Sequence, residues 1–329
     1  MKHNNISIFI PHIGCPNKCS FCNQHTISGT QKAPTADEVK ETCKKAYEEI
    51  KDKSNTEIAF FGGSFTAIPH RYMIELLESV QKFIDTGDGR GFRGIRISTR
   101  PDCINREILD ILKKYNVTAI ELGAQSMCDT VLEANDRGHT SEDVVKASTL
   151  IKEYGFELGL QMMVGLYKSD FSDECHTMDK FIEIHPDTVR IYPIVILKGT
   201  KLAELYESGE YVPVKAMEKK ISVVSIVAMM LRCFDREGIE VIKCGLHASE
   251  FVEKDMIGGF YHPAFKEICE SYIYKLEIEN VVNRLKYNGE KRDLYIIAVN
   301  PSCISKAMGH KKLNYEFFKK CGINIKIVG

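Results

Sequence analysis

"ISIFIPHIGCPNKCSFCNQHTISGT", residues 6–30, sets an alternating β-branched run, Ile6 to Ile10, against a loop rich in glycine, proline and asparagine. A short apolar run closed by turn residues reads as a strand whose far end opens into a loop. Five more such runs follow: EIAFFGG (57–63), GIRIST (94–99), TAIELGAQ (118–125), FELGLQMMVGL (156–166) and TVRIYPIVIL (188–197). Helical patterns separate them. Thr35-Ala-Asp-Glu38 is a capping box, after which Val39, Cys43, Ala46, Tyr47 and Ile50 share one face. Further helices are expected over Tyr72–Ile84, Arg106–Tyr115 and from Thr140 to near Gly155. Six strand–helix units in succession predict an α/β fold, a partial (β/α)6 TIM-like barrel with its chemistry at the carboxyl ends of the strands. A doubly wound open sheet satisfies the same periodicity.

The chain has 329 residues, 44% hydrophobic and 27% charged, ordinary values for a globular protein. No stretch approaches the roughly 18 uninterrupted apolar residues of a membrane span, so no membrane partner is expected. The N-terminus lacks an export pattern, which makes a cytoplasmic location the expectation. Net charge is −1. Residues 281–329 carry ten Lys and Arg against three Asp and Glu, which leaves the first 280 residues acidic. A basic end on an acidic body suits a polyanionic partner such as RNA, and equally a solvated lysine-rich surface.

Cys15, Cys19 and Cys22 are the one clustered set among twelve cysteines. Three thiolates with His25 form a possible zinc set, since His25 follows Cys22 at a spacing zinc sites use. They also suit an iron–sulfur cluster in which one iron has no protein ligand. The other nine cysteines show no C-x2-C pairing, so no second cluster is expected, and most should pack as small apolar side chains. Cys103 and Cys128 lie near strand ends.

The C-x3-C-x2-C spacing with Phe21 before the last cysteine resembles the radical SAM superfamily. So do FFGGSF, ISTRPDCI, ELGAQSM with NDRGHT, LQMMVGL and RIYPIVILKGTKLAELYESGEY, in that order, with the Elongator catalytic subunit and oxygen-independent coproporphyrinogen oxidase as the most similar groups. The resemblance covers about residues 6–211. It implies a [4Fe–4S] cluster held by Cys15, Cys19 and Cys22, with S-adenosylmethionine (SAM) chelated to the open iron and cleaved to a 5′-deoxyadenosyl radical. It places Phe21, Gly62, Gly63, Ser64, Ser98, Arg100, Gln125, Arg137, Gln161, Met163 and Tyr192 around the cofactor. Gln125 would meet the ribose and Arg137 the SAM carboxylate, a match for a planar bidentate donor. Ser98 stands where the relatives usually carry glutamate, and Tyr167 where proline often follows the last leucine of LQMMVGL. The family's electron donor is of the flavodoxin or ferredoxin type.

Domains are expected at 1–214 (barrel), 215–280 (helical extension, with helices over Lys215–Glu237 and Lys266–Ser271) and 281–329. The last segment resembles half of a K homology module: a short helix Cys303–Met308, the turn Gly309-His-Lys-Lys312, a helix Leu313–Cys321 and the strand INIKIV. Lys306, His310, Lys311 and Lys312 are its candidate nucleic-acid contacts. A basic cap on the barrel edge reads as well. Three functions follow: a radical SAM enzyme acting on RNA of the tRNA class; one acting on a small molecule or peptide; or a zinc-stabilised RNA-binding protein. In GGFYHPAF (258–265), Tyr261 and His262 border a mouth or begin a helix.

Overall fold

A computed structural model describes residues 4–11, 13–16, 18–30, 32–87, 89–215, 221–289 and 292–329. Its strands are β1 (Asn4–Ile10), β2 (Thr56–Gly62), β3 (Gly94–Thr99), β4 (Val117–Gln125), β5 (Glu157–Val164), β6 (Thr188–Pro193), β7 (Val195–Leu197), β8 (Glu240–Cys244), β9 (Met256–Gly259), β10 (Tyr295–Ala298) and β11 (Ile325–Val328). Seven pair in the order β1-β2-β3-β4-β5-β6-β8, all parallel. A doubly wound sheet reverses its order at a switch point. This one advances in chain order from edge to edge, so the partial barrel is the architecture. Six strands were expected and a seventh, Glu240–Cys244, extends the sheet.

Period-2 alternation explains the curvature's two faces. Ile6, Ile8 and Ile10 point outward into the core shared with the helices, whereas Asn5, Ser7 and Phe9 border the barrel interior. The helix Ala36–Glu49 opens on the Thr35–Glu38 capping box and buries Val39 and Cys43. Helices His70–Val80, Arg106–Lys114 and Ser141–Glu153 fall where the periodicity put them, the last on a Thr140–Asp143 capping box. β7 and β9 form a small antiparallel ribbon.

Beyond the barrel, the helix expected from Lys215 is Val223–Arg236, and residues 216–220 of that expectation lie outside the described residues. The helix expected to end at Ser271 runs on from Phe265 to Tyr287. It crosses residue 280 without a break and carries the C-terminal segment. Ile278 and Val282 pack there with Tyr295, Phe318, Ile323 and Ile325 around the parallel pair β10–β11. Among the described residues no helix is long and apolar enough to cross a membrane.

Candidate active site at the carboxyl ends of the strands

The cysteine loop leaves the end of β1 and is clamped from three sides. Gly63 N–H donates to Ile10 O (2.7 Å), and a Cβ on Gly63 would lie 2.4 Å from Ile13 O. Gly62 holds φ +110°, and a Cβ there would meet Ile10 O at 2.8 Å. Both glycines therefore let two backbones pass at contact distance. Asn135, 0% exposed, forms the second clamp: its Oδ1 accepts from Ser20 Oγ (2.9 Å) and its Nδ2 donates to Val131 O (2.8 Å) and Tyr167 O (2.9 Å). Leu202 N–H closes the third on Ser20 O (2.8 Å). Phe21 is buried among Val131, Leu166, Ile194 and Leu202, which fixes the loop between Cys19 and Cys22.

Cys15, Cys19 and Cys22 border one cavity of about 120 Å³, together with Gly62, Gly63, Ser64, Ser98, Arg100, Gln125, Arg137 and Gln161. Burial, more than any neighbour, pushes the Cys22 thiol up to about 12 and raises that of Cys15. Desolvated thiols ionise when a bound metal draws off the proton. Among the described residues no three His, Cys, Asp or Glu side chains converge on a single-ion site. His25, the ligand a tetrahedral zinc site would need, has its Nδ1 3.1 Å from Thr30 O, and it does not border the cavity. The three-thiol set thus fits a cluster with an open corner better than a Cys3His zinc.

Several buried polar atoms around these thiols lack a protein partner. Gln125, at the end of β4 with φ +68°, has Oε1 unpaired, as are Nε of Arg137 and Nη1 of Arg100. The remaining guanidinium nitrogens are engaged: Arg137 Nη1 with Cys19 Sγ (3.0 Å) and Nη2 with Gly123 O (2.5 Å), and Arg100 Nε and Nη2 with Asp102 (2.9 and 2.8 Å). Buried orphan donors and acceptors are uncommon without a ligand. One free acceptor and two free guanidinium nitrogens beside the thiols match the ribose hydroxyls and carboxylate of SAM. Ser64 Oγ pairs with Thr99 Oγ1 (2.9 Å) and accepts from Arg100 N–H (3.1 Å), so this hydroxyl braces the loop.

A larger cavity of about 790 Å³ adjoins the first, and Met163 and Tyr192 border it together with Phe21, Gly62, Ser98, Gln125 and Gln161. All eleven expected cofactor residues therefore line one cavity or the other. Unforeseen from the sequence is the charged network within the barrel. Arg96, 1% exposed, reaches Glu57 Oε2 (2.6 Å), Glu121 Oε1 (3.4 Å) and Glu157 Oε1 (2.5 Å). Arg190 holds Glu121 from the other side, Nη2 to Oε1 at 2.7 Å and Nε 2.6 Å from Oε2. Gln161 Nε2 donates to Glu121 Oε2 (2.8 Å) and Ser98 Oγ (3.2 Å). Two cavity residues thus take their orientation from this network.

Tyr261 hydroxyl donates to His247 O (3.1 Å) and accepts from Ser249 N–H (2.8 Å), and His262 Nδ1 accepts Ala264 N–H (3.0 Å) ahead of the helix at Phe265. These two side chains build the turn. Against them sits the basic loop, with His310 in edge contact with His262 at 5.0 Å. Gly309 has φ +85° and its Cβ would meet Asn314 N at 2.7 Å, so glycine is required. Asn314 Nδ2 donates to Ser271 O (2.8 Å), tying the loop to the long helix. Lys311 and Lys312 stand exposed with φ of 51° and 63°, while Lys306 is paired with Glu270 (2.9 Å).

A model of the radical SAM superfamily matches residues 9–181, and one of the radical SAM C-terminal domain matches residues 186–275. An uncharacterized protein of Methanocaldococcus jannaschii is 32% identical over 216 residues, 64% of this chain and 62% of that one. The tRNA uridine(34) acetyltransferase of the same organism is 34% identical over 152 residues, 45% of this chain and 28% of that one. In structure, Methanocaldococcus infernus Elp3 with residues 1–46 deleted superposes with a TM-score of 0.61 at 16% identity, over 89% of this chain and 64% of that chain. That is a likeness of fold. The chain spans less than two thirds of the length of each of these proteins.

Proposed function

From the premise that this chain belongs to the radical SAM superfamily, with a [4Fe–4S] cluster and SAM as its cofactors, we propose that it is a cytoplasmic enzyme that modifies RNA of the tRNA class. When bound, the cofactors supply reductive cleavage of SAM to a 5′-deoxyadenosyl radical, with the electron coming from a flavodoxin- or ferredoxin-type protein. Cys15, Cys19 and Cys22 would hold the cluster. Arg137 and Gln125 would take the SAM carboxylate and ribose, and the fixed barrel wall would keep water from the reacting atoms.

The observation that carries the RNA reading is the seat of the basic loop. Lys311 and Lys312 are held out by Gly309 and Asn314, and His310 rests on His262, in the turn four residues before Lys266 on the wall of the larger cavity. A backbone phosphate on this loop would present a nucleotide toward the mouth. The tRNA-directed relative supports the same class of substrate.

Anaerobically reconstituted protein, given a reductant and SAM, should form 5′-deoxyadenosine. It should bind unmodified tRNA with an affinity that falls steeply with salt. Neutralising both Lys311 and Lys312 as glutamines should weaken binding and lower the salt slope by about 1 to 2. SAM cleavage together with tRNA binding that ignores both lysines would remove the RNA assignment.

A further inference from the structure

Inside the barrel the acids and arginines cancel. Three arginines meet three glutamates: Arg96 engages Glu57, Glu121 and Glu157, Arg190 engages Glu121 again, and Arg93 reaches Glu157 from the rim (3.3 Å). Lys243 does not fit into that balance. It is the register partner of Arg190 across β6 and β8 and borders the same large cavity. It is half-buried, and among the described residues it has no hydrogen-bond or ion-pair partner. Burial first, and Arg190 second, hold its ammonium below the ordinary lysine range. Lys266 borders the same cavity, its Nζ donating to Val241 O of β8 (2.7 Å). Glu240, the remaining acid on this wall, stands exposed at the start of the strand.

An ammonium partly withdrawn from water with no counter-ion costs some stability in the free protein. A negatively charged ligand beside it recovers that cost and gains charge-assisted hydrogen bonds. Two aromatic rings border the same cavity: Phe61 lies under the Arg190 guanidinium (5.0 Å), and Phe9 stacks on His247 (6.1 Å).

We propose that Lys243, assisted by Lys266, anchors an oxyanion of the substrate, a phosphate or a carboxylate, in the larger cavity, with Phe9 and Phe61 beside its flat portion. The inference rests on the larger cavity being the substrate chamber of the enzyme proposed above, and it adds the group by which that substrate is held.

The test uses the reconstituted full chain with SAM present, as wild type, Lys243→Met and Lys243→Arg. Binding of uridine 5′-monophosphate, uridine and glutarate is read from the shift of the thermal unfolding midpoint with ligand concentration. Wild type should respond to an anion and not to uridine; Lys243→Met should bind that anion about tenfold or more weakly, and Lys243→Arg should retain most of the affinity. A response to the monophosphate assigns phosphate and a response to glutarate assigns carboxylate. Without ligand, Lys243→Met should unfold at the wild-type temperature or above it, because an unpaired charge has been removed. Anion binding undiminished in Lys243→Met overturns the proposal, as does a wild type that responds to neither anion. The same samples assayed for 5′-deoxyadenosine separate such a failure from a failure of the radical SAM chemistry.

Discussion

Replacing Arg96 by methionine should cost the fold about 3 kcal/mol, at the lower end of what breaking a buried ion pair usually costs. The figure follows from which acids are stranded. Glu121 keeps Arg190 and Gln161, and Glu157 is partly exposed and keeps Arg93 (3.3 Å). Glu57, 0% exposed, loses the Arg96 guanidinium and keeps Thr118 Oγ1 (2.8 Å). A fully buried carboxylate that has lost its arginine accounts for most of the loss. The double variant Arg96→Met with Glu57→Gln removes the stranded charge and should regain at least half, since replacing both members of a buried pair is often close to neutral. Urea unfolding of the three proteins at one pH measures both differences. A single variant losing less than about 1 kcal/mol, or a double variant no more stable than the single, would show that the network does not carry this energy.

Glu174 supplies a pH-dependent counterpart. Its carboxylate accepts Gly165 N–H (2.7 Å) and Ser169 Oγ (3.0 Å), and burial pushes it up to about 7 from 4.5. A raised carboxyl favours the protonated fold, so its contribution is full below about pH 4.5 and is lost as pH rises through about 7, amounting to about 3 kcal/mol. Glu174→Gln should flatten urea stability between pH 5 and pH 8 by that amount, and a profile as steep as wild type refutes the assignment. Gly63→Ala drives a Cβ against Ile13 O and Ile10 O (2.4 and 3.0 Å). It should displace the cysteine loop, lowering iron retained per chain several-fold and stability by about 1–3 kcal/mol; iron content equal to wild type would mean the loop does not need this contact.

The strands of the barrel were legible because their outward residues are β-branched and their ends are marked by glycine or proline. The thiol loop was legible because its spacing is specific. The inward charges were not. In GIRIST, TVRIYP and AIELGAQ, the alternate positions Arg96, Arg190 and Glu121 look like solvent-facing residues, and period-2 patterning alone does not tell a wet outer face from a polar interior. β8 was missed for the same reason: Glu240 and Lys243 dilute EVIKC below a strand's usual apolar content. The pairing of β7 with β9 joins residues about 60 apart along the chain, which local pattern does not report. Gly62 and Gly63, expected around the cofactor, also admit the backbone of the cysteine loop, a close approach between distant segments that local pattern does not report.

Among the described residues the parallel sheet does not close on itself: no strand pairs with the outer edge of β1 or of β8, and the large cavity is walled by residues from both. A closed cylinder admits only what passes through its end. A cylinder slit along its side can receive one unit of a long polymer laterally while the units before and after it stay in solvent, so neither terminus has to be threaded. The width of that seam, which Phe9 and His247 span with their stacked rings, then decides how bulky a single inserted unit can be.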